Sequence, residues 1–192
     1  MPRRVKTRTT LSVEDWVRAA LVLMAREGVQ AVAVEPLARE IGVTKGSFYW
    51  HFENRDHLVR TALEVWEQDQ GRDLVQRYGD IPDPHMRMRV LVHAAFEDTH
   101  NGLLFAALSA SSEDPLVRPF LERVTDMRMK FGERAFGDLG LSPEEAKQRA
   151  LFTYAAYAGY FQLLRAMPET VRSVSDLSAY ARQLADAVVP RT

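Results

Sequence analysis

The 192-residue chain has no cysteine, which excludes disulfide staples, a thiolate nucleophile and cysteine-ligated metal centres. Long apolar runs are missing too. The longest uncharged stretch, ALFTYAAYAGYFQLL at 150–164, falls short of the roughly 20 apolar residues that a bilayer-spanning helix needs. It is expected to be a helix buried by its own domain or by a partner, with no membrane involved. The start lacks the apolar run of a signal peptide, so a cytoplasmic address is the expectation. Glycine-rich phosphate loops, G-x-S-x-G and H-E-x-x-H are absent, which leaves little support for an enzyme. Alternating strand patterns are scarce, and there is no internal repeat or low-complexity segment.

What is present is a core-forming apolar fraction of 46% and an ordinary charged fraction of 27%. The net charge of −1 conceals an asymmetry. Residues 1–60 hold ten Lys/Arg against seven Asp/Glu, and the remainder holds fifteen against nineteen. Arg3, Arg4, Lys6 and Arg8 stand in the first ten residues without an acid among them. A basic arm at 1–9 suits a polyanion, although a solvated tail has the same composition.

Helical periodicity recurs almost throughout, and about nine helices are expected in an all-α fold. Ser12 and Asp15 form a capping-box pattern ahead of Val13, Trp16, Val17, Ala20, Leu21 and Met24, and Gly28 closes that run. A second helix is expected at about 35–41, a third from Thr44 to about Phe52, and a fourth from Asn54 to about Tyr78 with Gly71 as a weak point. GDIPDP at 79–84 breaks the chain. Further helices are expected at about 85–100, 102–111, 115–136, 142–167 and 174–189. Ser142, Pro143 and Glu145 mark the eighth start, and Pro168 marks its end.

Residues 35–52 have the form helix, glycine turn, helix, the pattern of a helix-turn-helix whose second helix enters the major groove of DNA. Thr44 and the free N–H groups beside it suit a phosphate. Lys45 and Ser47 stand at the end that reaches base edges, and Gly46 permits close backbone approach. Phe48 and Phe52, four apart, are expected to pin the helix to the core of the head, leaving Tyr49, Trp50 and His51 outward.

The stretch VRAALVLMAREGVQAVAVEPLAREIGVTKGSFYWHFENRDHLV resembles the N-terminal head of TetR-family transcriptional regulators over about residues 10–60. The glycine, aromatic, histidine, phenylalanine, cap and basic residues keep that family's spacing. The resemblance implies a homodimeric repressor that binds a near-palindromic operator in double-stranded DNA and is released by a small-molecule effector, with no cofactor. It places Thr44, Lys45, Tyr49 and His51 at DNA-contacting positions, and Arg55 where the family has a phosphate-touching lysine. Arg8 joins this set through the basic arm. One departure is visible: Val32, Ala33 and Val34 occupy the segment where the family places a threonine or serine cap. The expected organisation is the arm, a helix-turn-helix domain at 10–53, and a ligand-binding and dimerisation domain at 54–192.

In the body, Trp66, His93, Phe96, Phe131, Tyr154, Tyr157 and Phe161 are the candidate ligand contacts, suited to an apolar or aromatic effector. The last two helices are the candidate dimer interface, through the small residues of YAAYAGY and the stripe Leu177, Leu184 and Val188. His93, Glu97 and His100 fall at i, i+4 and i+7. On one helix face they could share a divalent metal, so the alternative function is a metal-dependent enzyme or carrier.

Overall fold

The computed structural model describes residues 11–78, 80–174 and 176–190, with the backbone alone over 71–78. Among these there are ten α-helices, one turn of 3₁₀ helix and no strand. Arg8 and the basic arm lie outside the described residues.

The head is built as its caps direct. Helix α1 (Val13–Glu27) starts at Ser12, whose hydroxyl accepts from the Asp15 N–H while the Asp15 carboxylate accepts from the Ser12 N–H at 3.0 Å. After a 3₁₀ turn (Val29–Ala31), α2 (Val34–Glu40) begins at Ala33 with no side-chain cap, as the VAVEP segment predicts. Gly42, at φ +75°, reverses the chain, and the Val43 N–H closes the turn on the Ala38 carbonyl at 2.9 Å. Helix α3 (Lys45–Phe48) is one turn long, shorter than the 44–52 helix expected. Both His51 and Phe52 donate their N–H to the Phe48 carbonyl, at 2.9 and 3.0 Å, which tightens the chain into a turn. Phe48 and Phe52 are both drawn into the core, their ring centroids 5.3 Å apart, and Phe48 meets Trp16 edge-on at 5.3 Å.

Helix α4 (Arg55–Tyr78) begins where Asn54 accepts from the His57 N–H and runs unbroken through Gly71. It leads into the body: α5 (Pro84–Glu97), α6 (Thr99–Ser109), α7 (Arg118–Gly137), α8 (Pro143–Ala166), α9 (Pro168–Val174) and α10 (Leu177–Val188). Two boundaries differ from expectation. The fifth helix stops at Glu97 because Asp98 turns its carboxylate to the Asn101 N–H at 3.0 Å and caps α6 instead. Pro168 does not merely end α8: it opens α9, where a missing N–H costs nothing, and this raises the count from nine to ten.

In the body α7 and α6 pack on α8, and α5 packs on α10. Helix α1 rests on both α4 and α6, so one continuous apolar core joins head and body. At Gly102 of α6 a Cβ would sit 2.3 Å from the Phe161 ring, so the absent side chain is what lets α8 lay Phe161 into α6.

Candidate nucleic-acid interface and body cavity

The head presents a mixed polar and aromatic surface on and after α3. Thr44, Lys45, Gly46, Tyr49 and Trp50 are exposed, Trp50 at 87%, while Ser47 and His51 are half-buried. Thr44 occupies the cap position of α3 without using its hydroxyl there, which leaves that oxygen and the first N–H groups available to an anion. None of the described residues crowds Gly46: a Cβ there would come no nearer than 3.7 Å to the Thr44 hydroxyl. Trp50 points outward, as its place between the two core phenylalanines predicts.

Two of the expected contact residues are engaged inside the chain. Lys45 Nζ lies 2.7 Å from the Glu35 carboxylate of α2. The hydrogen bond and the charge pairing raise the lysine above its ordinary pKa and lower the glutamate. Arg55 is committed more deeply. Its guanidinium donates to the Val29 carbonyl at 2.7 Å and the Val32 carbonyl at 3.0 Å, and also pairs with Asp56. Val29 and Val32 are buried, so this arginine ties the start of α4 to the 3₁₀ turn that feeds the uncapped α2.

The body contains a cavity of about 170 Å³ between α4, α5, α6, α7 and α8. Of the seven ligand-contact candidates, Phe96, Phe131, Tyr154 and Tyr157 line it. The other three do not. Phe161 is spent in the notch at Gly102, and Trp66 is buried with its indole N–H on the Asn101 side-chain oxygen at 2.9 Å. His93 lies outside the lining, its Nδ1 3.2 Å from Glu97. The metal constellation loses its geometry as well, because the break at Asp98 puts His100 on a different helix from His93 and Glu97. Among the described residues no group of three or more His, Asp or Glu is placed to hold a metal ion.

Sequence reasoning missed Arg128, Gln70 and Asn101, which supply polar lining to the cavity, and Met88, Leu91, Val92 and Phe136, which supply more of its apolar wall. A signal for Arg128 exists. Val124, Arg128, Phe131 and Ala135 follow the spacing of one face of α7, so a charge stands at a register position otherwise reserved for apolar residues. Arg128 Nη2 donates to the Gln70 side-chain oxygen at 2.6 Å, and its guanidinium lies 5.1 and 5.2 Å from the ring centres of Phe105 and Tyr157. Burial pushes the Tyr154 and Tyr157 hydroxyls above their ordinary pKa, an effect the arginine charge partly opposes. The Tyr154 hydroxyl is hydrogen bonded to Thr125 at 3.0 Å.

On the outer surface, Leu151, Phe152 and Leu163 of α8 are exposed at 59, 58 and 50%, with Ala155 and Gly159 exposed between them. At spacings of three and four they form one apolar strip. The stripe expected on the last helix is different: Leu184 and Val188 are already buried within the chain, where α10 packs on α5.

Residues 17–62 match the model of the bacterial regulatory proteins of the tetR family. A curated relative, the "Probable acrEF/envCD operon repressor" of Escherichia coli K12, is 30% identical over 93 residues, which cover 46% of this chain and 41% of that protein. The match thus spans less than half of the relative's length. Similarity of fold extends much further. The TetR transcriptional regulator from Legionella pneumophila superposes with a TM-score of 0.75 at 12% identity, covering 94% of this chain and 98% of the other. A regulator from Saccharomonospora viridis, solved in complex with choline, gives 0.74 at 17% identity over 93% and 98%. The head, over residues 17–62, thus matches the tetR family of bacterial regulatory proteins, and the chain as a whole shares the fold of solved regulators of that kind.

Proposed function

We propose that the protein is a transcriptional repressor that binds double-stranded DNA as a homodimer and releases it when a small molecule occupies the body cavity. The carrying observation is the surface on and after α3, where exposed rings, a hydroxyl and a lysine are held over the buried pair Phe48 and Phe52. Thr44, Lys45, Gly46, Ser47, Tyr49, Trp50 and His51 are the proposed contacts, with Arg8 of the arm reaching the adjacent minor groove. The name of the E. coli relative, an operon repressor, points the same way. Such a protein works in the cytoplasm beside its DNA.

Two heads reading a near-palindromic operator need two-fold symmetry and a separation of about one helical turn. The apolar strip of α8 is the proposed contact between copies, because it is left uncovered among the described residues. Release follows from a shift of population. Helix α4 holds the head through Arg55 at one end and faces the cavity through Gln70 at the other, so a ligand that prefers one setting of α4 also selects a head spacing. Two more links tie head to body: Gln30 donates to Asp114 at 2.9 Å, and Arg165 of α8 lies against Gly28.

The test is binding of the purified protein to DNA flanking its own gene across a salt series. A sequence-specific complex that weakens steeply with salt is expected. No specific complex, or affinity indifferent to salt, overturns the proposal.

A further inference from the structure

Arg128 is a charge on an otherwise apolar face of α7. Its neighbours along the α7 face are Val124 and Ala135, both buried, and Phe131, which lines the cavity. A guanidinium at such a position is normally matched by a carboxylate. Here none of the described carboxylates lies within ion-pair distance. Asp98, the acid in the cavity lining, turns one oxygen to the Asn101 N–H. Among the described residues Arg128 Nη1 has no hydrogen bond of good geometry, although Nη2 on the same fork is well bonded and the Tyr154 and Tyr157 hydroxyls stand near the guanidinium.

The well-bonded half is also locked in direction. Trp66 donates to the Asn101 side-chain oxygen, Gln70 Nε2 donates to that same oxygen at 3.1 Å, and Asn101 Nδ2 donates back to the Gln70 oxygen at 3.0 Å. The indole N–H at one end and the guanidinium at the other are pure donors, so neither amide can be reversed without placing two donors face to face. A chain of three side chains on two helices therefore fixes the acceptor that Arg128 Nη2 meets and leaves the charge of the guanidinium without a carboxylate.

Size narrows what the guanidinium meets. An apolar cavity of about 150 Å³ holds a benzene ring, and this one is about 170 Å³ with Phe96, Phe131, Met88 and Leu91 among its walls. Resting on the effector reading above, we propose that the cavity takes a compact apolar carboxylate, one ring or a short chain, with its anionic group on the Arg128 guanidinium and its apolar part against Phe96 and Phe131. The carboxylate supplies the charge that the folded chain withholds, and the binding energy comes from pairing an already desolvated cation. Trp66, Asn101 and Gln70 are positioning residues that act through the arginine.

The experiment is calorimetric titration of the full chain with benzoate and hexanoate, beside neutral benzyl alcohol and cationic choline. At least one carboxylate is expected to bind more tightly than both controls. Arg128→Met is expected to weaken it about 10- to 100-fold while leaving benzyl alcohol within about twofold of its parent value. Arg128→Lys keeps the charge without the fork and is expected to lie between, and it stands in if the methionine variant fails to fold. Tighter binding of choline or benzyl alcohol, a carboxylate affinity indifferent to both substitutions, or no binding by any probe overturns the inference. The salt-dependent DNA complex is measured without effector, so its presence or absence judges the repressor reading separately.

Discussion

Arg55 in the head and Arg128 in the body are both half-buried, both lie on a helix, and both reach away from it, yet their surroundings are opposite. The Arg55 fork is filled by the Val29 and Val32 carbonyls and by Asp56, all from its own chain. The Arg128 fork is bonded to Gln70 on one side, and on the other it has no good hydrogen bond and no carboxylate among the described residues. A side chain whose hydrogen-bonding capacity is exhausted at home has been recruited by the fold. One whose charge is left without a carboxylate is available for something the fold does not contain. By that standard Arg55, which the resemblance offers as a phosphate contact, is held by its own chain, and Arg128 is the proposed binding group.

The largest expected effect tests this contrast directly. Arg55→Ala strands two carbonyls beside buried valines and is expected to cost about 2–3 kcal/mol of unfolding free energy, read from urea denaturation. Arg128→Met removes a charge that no carboxylate compensates and is expected to stay within about 1 kcal/mol of the parent, since the lost ring contacts are offset by the desolvation no longer incurred. Equal losses for the two would break the comparison. A smaller effect bears on the same head. Ala33 is exposed at the uncapped start of α2, so Ala33→Thr restores the missing oxygen and is expected to add about 1 kcal/mol of stability. An unchanged denaturation midpoint would show that Arg55, by fixing the preceding turn, already does what a cap would do.

Binding carries the contrast outward. Lys45→Ala is expected to weaken the DNA complex about five- to tenfold and to lower the slope of log affinity against log salt by about one for each head, with the melting temperature unchanged. Affinity and slope both unaltered would take Lys45 out of the interface.

Much of this was legible in sequence, and the reasons differ from place to place. Helix starts at Ser12, Asn54 and Ser142 were legible because a cap is a local contract between neighbouring residues. Phe48 and Phe52 were legible as anchors because four-residue spacing admits few other faces. The truncation of α3 was not, because it comes from two N–H groups competing for one carbonyl. Nor was the choice among aromatic side chains of the body. Whether Phe161 meets a ligand or α6 depends on a missing Cβ at Gly102, some sixty positions away, and nothing in either neighbourhood announces the pairing. The stripe of α10 shows the same limit: periodicity reveals an apolar face without saying whether α5 or a second copy covers it.

The smallest expected effect concerns Glu35, the acid that holds Lys45 in the free protein at 2.7 Å. Both groups are exposed, so the pair contributes little to stability, but it occupies the ammonium that the proposed DNA contact uses. For the lysine to reach the duplex the pair must open, and the glutamate carboxylate is then left facing phosphates. Glu35→Gln is therefore expected to tighten the DNA complex about two- to fivefold. The pH dependence has a defined sign. The folded-state pKa of Glu35 is depressed, so the pairing is present above the ordinary glutamate pKa and is lost as pH falls through the depressed value. Lys45 is raised, so its side of the pairing persists below its ordinary pKa and is lost as pH rises through the raised value. Across the neutral range both groups stay charged. The gain from Glu35→Gln should accordingly be constant between about pH 6 and 8 and should shrink with added salt. A gain that varies across that range, or no gain at low salt, would mean that Lys45 leaves Glu35 without competition, and that the polar groups of the head are as free as their exposure suggests.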